Sequence, residues 1–336
     1  MSTVNDDLQR HERAGAKPAL LPAVVRHELP QRARRGPLAR LLAHPIQEED
    51  PMKELTLAQG TIRYRESGNG SPIVLVHGLL ANGELWRDVA PLLAADHRVI
   101  VPDWPLGSQD LPLNPDADVS PPAMAQLIAD FIEALDLRDV TLVGNDTGGA
   151  LCQMAAVSHP ERLGRLVLTP CDAYEHFPPP AFAPLVAIAR VPGAVNLILQ
   201  ASRLRAVRRL PNTYGLLTMQ PHDDLTAAFV TPARRNVEVR RQTARFLTGF
   251  DKRHTLAAAA RFAEFEKPVL IAWARDDRFF TLADGERLAR DFPNARLEVL
   301  DDCRTFMMLD RPKELAELIA AFAREPAPRD TAALTD

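Results

Sequence analysis

Cysteine is scarce, with Cys152, Cys171 and Cys303 the whole complement of a 336-residue chain. Their odd number and wide spacing exclude a disulfide framework and the paired spacing of a zinc site, and suit a reducing cytoplasm. Charge of one sign is lacking as well. The 40 basic and 44 acidic side chains leave a net charge of −4, which gives no global reason to expect nucleic acid or membrane binding. No apolar run reaches membrane-spanning length, and the first residues carry no hydrophobic signal core. Neither a phosphate-binding glycine fingerprint nor a metal-ligand cluster is present, so no cofactor and no metal are expected. These absences lead to a cytoplasmic globular protein with a small-molecule substrate, no nucleic acid and no membrane span. Monomer and dimer stay equally open.

What is present is ordinary in amount and regular in order. Hydrophobic residues make up 46% and charged ones 25%, as in a chain that buries a core, and 29 prolines break it often. Residues 1–50 show no strand pattern and read as an N-terminal extension, partly disordered or packed on the core, with a basic piece from Gln31 to His44. Glu54–Ala58 and Thr61–Arg65 then read as a hairpin turning near Gly60. Pro72-Ile-Val-Leu-Val-His-Gly78 is an apolar run without alternation, as a strand covered on both faces requires. The alternation continues with a helix at Glu84–Ala95, a strand at Arg98–Asp103, a helix at Pro121–Leu137 and strands at Val140–Asn145 and Leu163–Thr169.

From 170 to 255 no convincing strand occurs, and the segment reads as an inserted helical cap. Over 170–254 it holds twelve Lys and Arg against six Asp and Glu, a net +6; a basic cap favours an anionic substrate, while solvated helix faces are the plainer account. The sheet pattern resumes at Pro268–Trp273, with a helix at Leu282–Asp291, a strand at Arg296–Leu300 and a helix at Pro312–Arg324. The expected division is therefore 1–50 extension, 51–169 core, 170–255 cap, 256–325 core and 326–336 flexible tail. The fold class is α/β, a mostly parallel, doubly wound sheet with an inserted helical cap.

One stretch carries the chemistry. Residues 140–149 read Val-Thr-Leu-Val-Gly-Asn-Asp-Thr-Gly-Gly, a buried strand ending in small residues around a carboxylate. Gly144-x-Asp146-x-Gly148 has the layout of a nucleophile elbow with Asp at its centre. Small residues are needed there because the turn is tight and backbone segments approach closely. A strand–turn–helix merely capped by Asp has the same local pattern.

The order of motifs from about residue 52 to 324 resembles the α/β-hydrolase superfamily: a strand before His77-Gly78, a strand before Pro102-Asp-Trp-Pro-Leu-Gly-Ser108, the elbow, the cap and a strand before Asp276-Asp277. The central Asp is similar to that of the branch containing haloalkane dehalogenases and epoxide hydrolases. There the carboxylate attacks carbon and a His-activated water cleaves the resulting alkyl ester. The resemblance implies Asp146 as nucleophile, already ionised at neutral pH, and an oxyanion hole from the backbone N–H groups of Thr147 and Leu79. It implies Asp277 as the acid, with Asp172 the alternative, and His77 as an organiser of its loop.

The chain departs from that pattern in three places. Asp302-Cys-Arg-Thr-Phe306 puts Thr305 where the catalytic His belongs, and Thr cannot take a proton from water near pH 7. Thr147 and Leu79 replace halide-binding side chains of the dehalogenases. The His-Gly-x-Pro turn of epoxide hydrolases is missing, because Leu80 follows Leu79, and only Tyr174 and Tyr214 are available to activate an epoxide oxygen. After the elbow only His159, His176, His222 and His254 remain; His176 is the substitute base, with lid packing as its plainer role. Three readings follow. The first is a hydrolase acting through Asp146 on a small apolar electrophile or ester. The others are a non-turnover ligand-binding or scaffold protein, and a lyase or isomerase with Asp146 as general base.

Overall fold

The computed structural model describes residues 51–325. The expectations for 1–50 and 326–336 lie outside the described residues. Eight strands form one sheet: β1 (Lys53–Leu57), β2 (Gly60–Ser67), β3 (Pro72–Val76), β4 (Arg98–Pro102), β5 (Val140–Asp146), β6 (Leu163–Cys171), β7 (Val269–Ala274) and β8 (Ala295–Leu300). Their spatial order is β1-β2-β4-β3-β5-β6-β7-β8. β1, β2 and β4 pair antiparallel, and every later pairing is parallel. Ile73 to Val76 and all of β7 are buried, which explains their unbroken apolar runs; β8, at the edge, is mostly half-buried. β4 lies on one side of β3 and β5 on the other. The chain thus reverses direction across the sheet between β3 and β5, and a crevice opens beyond their carboxyl ends.

The helices are α1 (Ala90–Leu93), α2 (Pro121–Ala134), α3 (Thr147–Ser158), α4 (Ala183–Ala189), α5 (Ala194–Ala201), α6 (Arg205–Arg208), α7 (Asp223–Arg235), α8 (Val237–Thr248), α9 (Lys252–Ala259), α10 (Leu282–Asp291), α11 (Met307–Asp310) and α12 (Pro312–Ala323). Six of them, α4 to α9, enter between β6 and β7. The helix expected over Glu84–Ala95 is instead a 3-10 turn at Gly83–Trp86, capped by Asn82, and the separate short α1, with proline in its first turn. The helix expected to reach Leu137 ends at Ala134, because Asp136 turns into the left-handed region at φ 45°.

α3 has no polar face. Thr147 through Val157 are all buried, so the helix is wedged against the sheet rather than laid on it. Its composition follows from that approach. A Cβ on Gly148 would stand 2.3 Å from the His77 carbonyl oxygen, and one on Gly149 2.3 Å from Cys171 Cβ.

Candidate active site

Asp146 ends β5 and caps α3 at φ 53°, ψ −134°, a conformation that costs a non-glycine residue strain energy. Its Oδ1 accepts the Thr147 N–H at 2.7 Å. Its Oδ2 lies over Gly78, where a Cβ would come within 2.5 Å of it. The amide expected to serve an oxyanion therefore holds one oxygen of the carboxylate and leaves the other unencumbered.

The loop after β3 is set by His77. The Trp104 N–H donates to its Nε2 at 2.8 Å, which fixes the tautomer, and Nδ1–H donates to the Gly78 carbonyl at 2.9 Å. Burial lowers its pKa to about 4, so the ring is neutral. With both nitrogens engaged, His77 organises the loop, as expected of it.

Three carboxyl groups gather at this end of the sheet. The β5–β6 register pairs Asp146 with Cys171, and the next residue is Asp172. Asp172 is buried, and its Oδ1 has no hydrogen-bond partner among the described residues. Asp277 follows β7. Its Oδ1 accepts the N–H groups of Phe279 and Phe280 at 2.7 and 2.8 Å, and its Oδ2 accepts the Thr305 hydroxyl at 2.7 Å. Thr305 thus meets Asp277, but it is fully buried and brings no base.

Electrostatics corrects one expectation. Desolvation raises the pKa of Asp146 to about 7, the negative charge of Asp277 adds to the rise, and the Thr147 N–H offsets part of it. Asp172 is raised too, first by burial and then by Asp146. Asp146 is therefore not simply ionised at neutral pH. The two groups titrate as a pair in which repulsion and desolvation retain a proton.

Above Asp146, Thr147 and Asp172 lies a cavity of about 390 Å³ lined chiefly by aliphatic side chains of β6–β7 helices, among them Leu185, Val186, Leu199 and Leu247. Tyr214 also lines it and donates its hydroxyl to the Leu80 carbonyl at 2.6 Å. Tyr174 does not, since its hydroxyl is bound to Asp291 at 2.8 Å. Leu79 lines the cavity beside Asp146.

His176 is not brought to this site. Its Nδ1 lies 3.1 Å from Asp284 Oδ1 at the start of α10, and no histidine of the described residues lines the cavity. The turn at Ala173 and Tyr174 carries the chain away from the sheet before His176 is reached.

Two residues had no sequence signal of their own. Asn145 Nδ2 donates to Thr169 Oγ1, to the Pro170 carbonyl and, at 2.8 Å, to the Thr305 carbonyl, tying the elbow to the loop after β8. Arg208, buried, donates Nη1 to the carbonyls of Ser202 and Arg203 and Nε to Thr226 Oγ1, joining α5, α6 and α7. No group of three or more His, Cys, Asp or Glu placed to hold a metal occurs among the described residues.

Comparison with known proteins matches residues 71–312 to the alpha/beta hydrolase fold family model. An uncharacterized protein of Mycobacterium tuberculosis is 27% identical over 290 residues, 81% of each chain. A 2-hydroxy-6-oxononadienedioate/2-hydroxy-6-oxononatrienedioate hydrolase of Cupriavidus pinatubonensis is 27% identical over 300 residues, covering 82% of this chain and 96% of its own. A solved putative ancestral haloalkane dehalogenase superposes with a TM-score of 0.68 at 22% identity, over 81% of this chain and 98% of that one.

Proposed function

Because this chain belongs to the alpha/beta hydrolase fold family, we propose that it is a hydrolase in which Asp146 attacks a small apolar electrophile or ester held beneath a cap formed by α4 to α9. One observation carries the reading. Asp146 Oδ1 is fixed by the Thr147 N–H while Oδ2 stands free at the floor of a covered apolar cavity.

The absent His is replaced, in this reading, by the carboxyl of Asp172. With an epoxide, Asp146 Oδ2 forms the new C–O bond, the ring C–O bond breaks, and the ring oxygen takes both its electron pair and the proton held by Asp172. Esterification removes the charge of Asp146. The Asp172 carboxylate, still desolvated, then takes a proton from water as the water adds to the ester carbonyl. The N–H groups of Thr147 and Leu79 receive the tetrahedral oxyanion. Collapse expels the product alkoxide, Asp172 returns the proton to it, and the proton left on the Asp146 carboxyl passes back to Asp172. Thr305 and Asp277 hold the loop after β8 and take no proton.

A second reading, a lyase or isomerase with Asp146 as general base, is favoured by its raised proton affinity, which suits a base working near neutral pH. Turnover of epoxide, halide and ester probes in ¹⁸O-water, followed by peptide mass analysis, separates the two. Nucleophilic attack incorporates solvent oxygen into Asp146, and with the halide probe, whose leaving group needs no proton from Asp172, Asp172→Asn accumulates a covalent adduct on it. Unlabelled Asp146 with continuing turnover overturns the nucleophile, and no adduct or turnover with any probe class favours a ligand-binding protein.

A further inference from the structure

The loop after β3, which carries the Leu79 N–H, is held from two sides. Leu80 stands at φ 52°, in the left-handed region that costs a non-glycine residue energy. Such a conformation persists only where its neighbours fix it. Two neighbours do so here. The Leu80 N–H donates to the Leu106 carbonyl at 2.8 Å, and the Leu80 carbonyl accepts the Tyr214 hydroxyl at 2.6 Å. Leu106 belongs to the core, Tyr214 to the cap.

Planar trans peptides carry that hold further. The Leu80 carbonyl and the Ala81 N–H share one plane and point opposite ways, and the Ala81 N–H donates to the Gly78 carbonyl at 3.3 Å. The Gly78 carbonyl, which also accepts His77 Nδ1–H at 2.9 Å, shares the next plane with the Leu79 N–H. That last donor meets no acceptor among the described residues. We propose that Tyr214 is a positioning residue: acting from the cap through these two peptide units, it sets the direction of the Leu79 N–H. Hydrogen bonds in series polarise one another, so the same chain strengthens that donor. Service of the Leu79 N–H to the oxyanion of an Asp146 ester rests on the hydrolase reading, whereas the hold on the loop does not.

The surroundings of Tyr214 make its hydroxyl the tie to this loop. Its ring packs on Phe229 of α7, inside the cap, with 6.1 Å between centroids. On its other sides it lines the cavity above Asp146 and a second cavity of about 230 Å³ that reaches Phe306 and Leu309. Desolvation, and then the negative charge of Asp146, raises the proton affinity of the hydroxyl, so it stays a donor.

Tyr214→Phe keeps the ring and deletes the hydroxyl. Single-turnover reaction of the full chain with a short alkyl bromide, followed by intact mass, reads two steps separately. In the first, Asp146 Oδ2 forms the C–O bond and bromide leaves with its electron pair, so no oxyanion arises. In the second, water adds to the ester and an oxyanion does arise. The variant should form the adduct near the parental rate and hydrolyse it about tenfold more slowly, less than the roughly hundredfold loss from deleting an oxyanion donor outright. Hydrogen exchange of the peptide holding Leu79 to Ala81 should quicken while β3 exchanges as in the parent. Parental decay of the adduct, equal slowing of both steps, or slowed alkylation by an epoxide alone, the mark of Tyr214 acting as an acid, would each overturn the proposal. If no probe alkylates the parent, the nucleophile reading falls by itself, and exchange then decides: unchanged exchange at Leu79 to Ala81 overturns the hold, and faster exchange sustains it.

Discussion

At the scale of the residue, the site turns on where protons sit. Asp146 has its pKa raised from 3.8 to about 7 in the folded chain. Below about pH 3.8 it is protonated in both folded and unfolded states, and proton uptake favours the fold. That contribution is lost as pH rises through the folded value, because ionisation then places an uncompensated charge in an apolar site. Asp146→Asn removes the titration. The variant should therefore gain stability over the parent from about pH 4 upward and level off above pH 7. The gap has an upper bound of about 4 kcal/mol from the three-unit shift and is readable by denaturation at several pH values. A gap that shrinks as pH rises would mean that the carboxylate is stabilised in the fold. Thr305 argues the other way, as a residue that holds structure. Thr305→Val deletes its 2.7 Å bond to the buried Asp277 and should cost about 1–3 kcal/mol in thermal denaturation. Thr305→His should cost a similar amount through overpacking. Under the nucleophile reading it should nonetheless speed hydrolysis of an ester trapped on Asp146 in Asp172→Asn, measured as adduct decay.

At the scale of the element, the elbow is a problem of clearance, and its glycines answer it. Gly148→Ala would drive a methyl into the His77 carbonyl, a backbone atom that cannot swing away. The strand and helix must then part, at about 1–3 kcal/mol. Gly78→Ala instead meets the carboxyl of Asp146. It should displace that side chain, with turnover and adduct formation lost while the melting temperature changes less than in Gly148→Ala. The same distinction explains what was legible beforehand. β3 and β5 were legible because both faces are covered and their apolar runs are unbroken, and the elbow because clearance restricts residue type at fixed spacing. The 3-10 turn at Gly83–Trp86 was not, since a proline and an asparagine cap interrupt a pattern whose apolar period is still helical. Nor was the neighbourhood of Asp146 and Asp172, because it depends on which strand lies beside β5. Tyr214 reaches Leu80 across 134 positions, a contact that no local pattern encodes.

At the scale of the whole molecule, the reversal between β3 and β5 fixes where a ligand can go, and the β6–β7 insertion decides what kind. A sheet that changes direction leaves a crevice at the ends of these strands, and Leu79 and Asp146 line the cavity there. α4 to α8 roof it with aliphatic side chains, so the molecule presents two carboxyl groups to a small apolar volume. Binding and chemistry are then separable. An apolar ligand at about 100 times its dissociation constant should stabilise the parent by about 2.7 kcal/mol, read as a rise of several degrees in melting temperature. Asp146→Asn should keep that rise, since the apolar walls are untouched. Ala201 lines the cavity from the end of α5 and is half-buried. Ala201→Trp should fill the space and abolish the rise while leaving the elbow as it is. If Ala201→Trp binds as well as the parent, the ligand occupies another part of the molecule, and the space above Asp146 is not the substrate cavity.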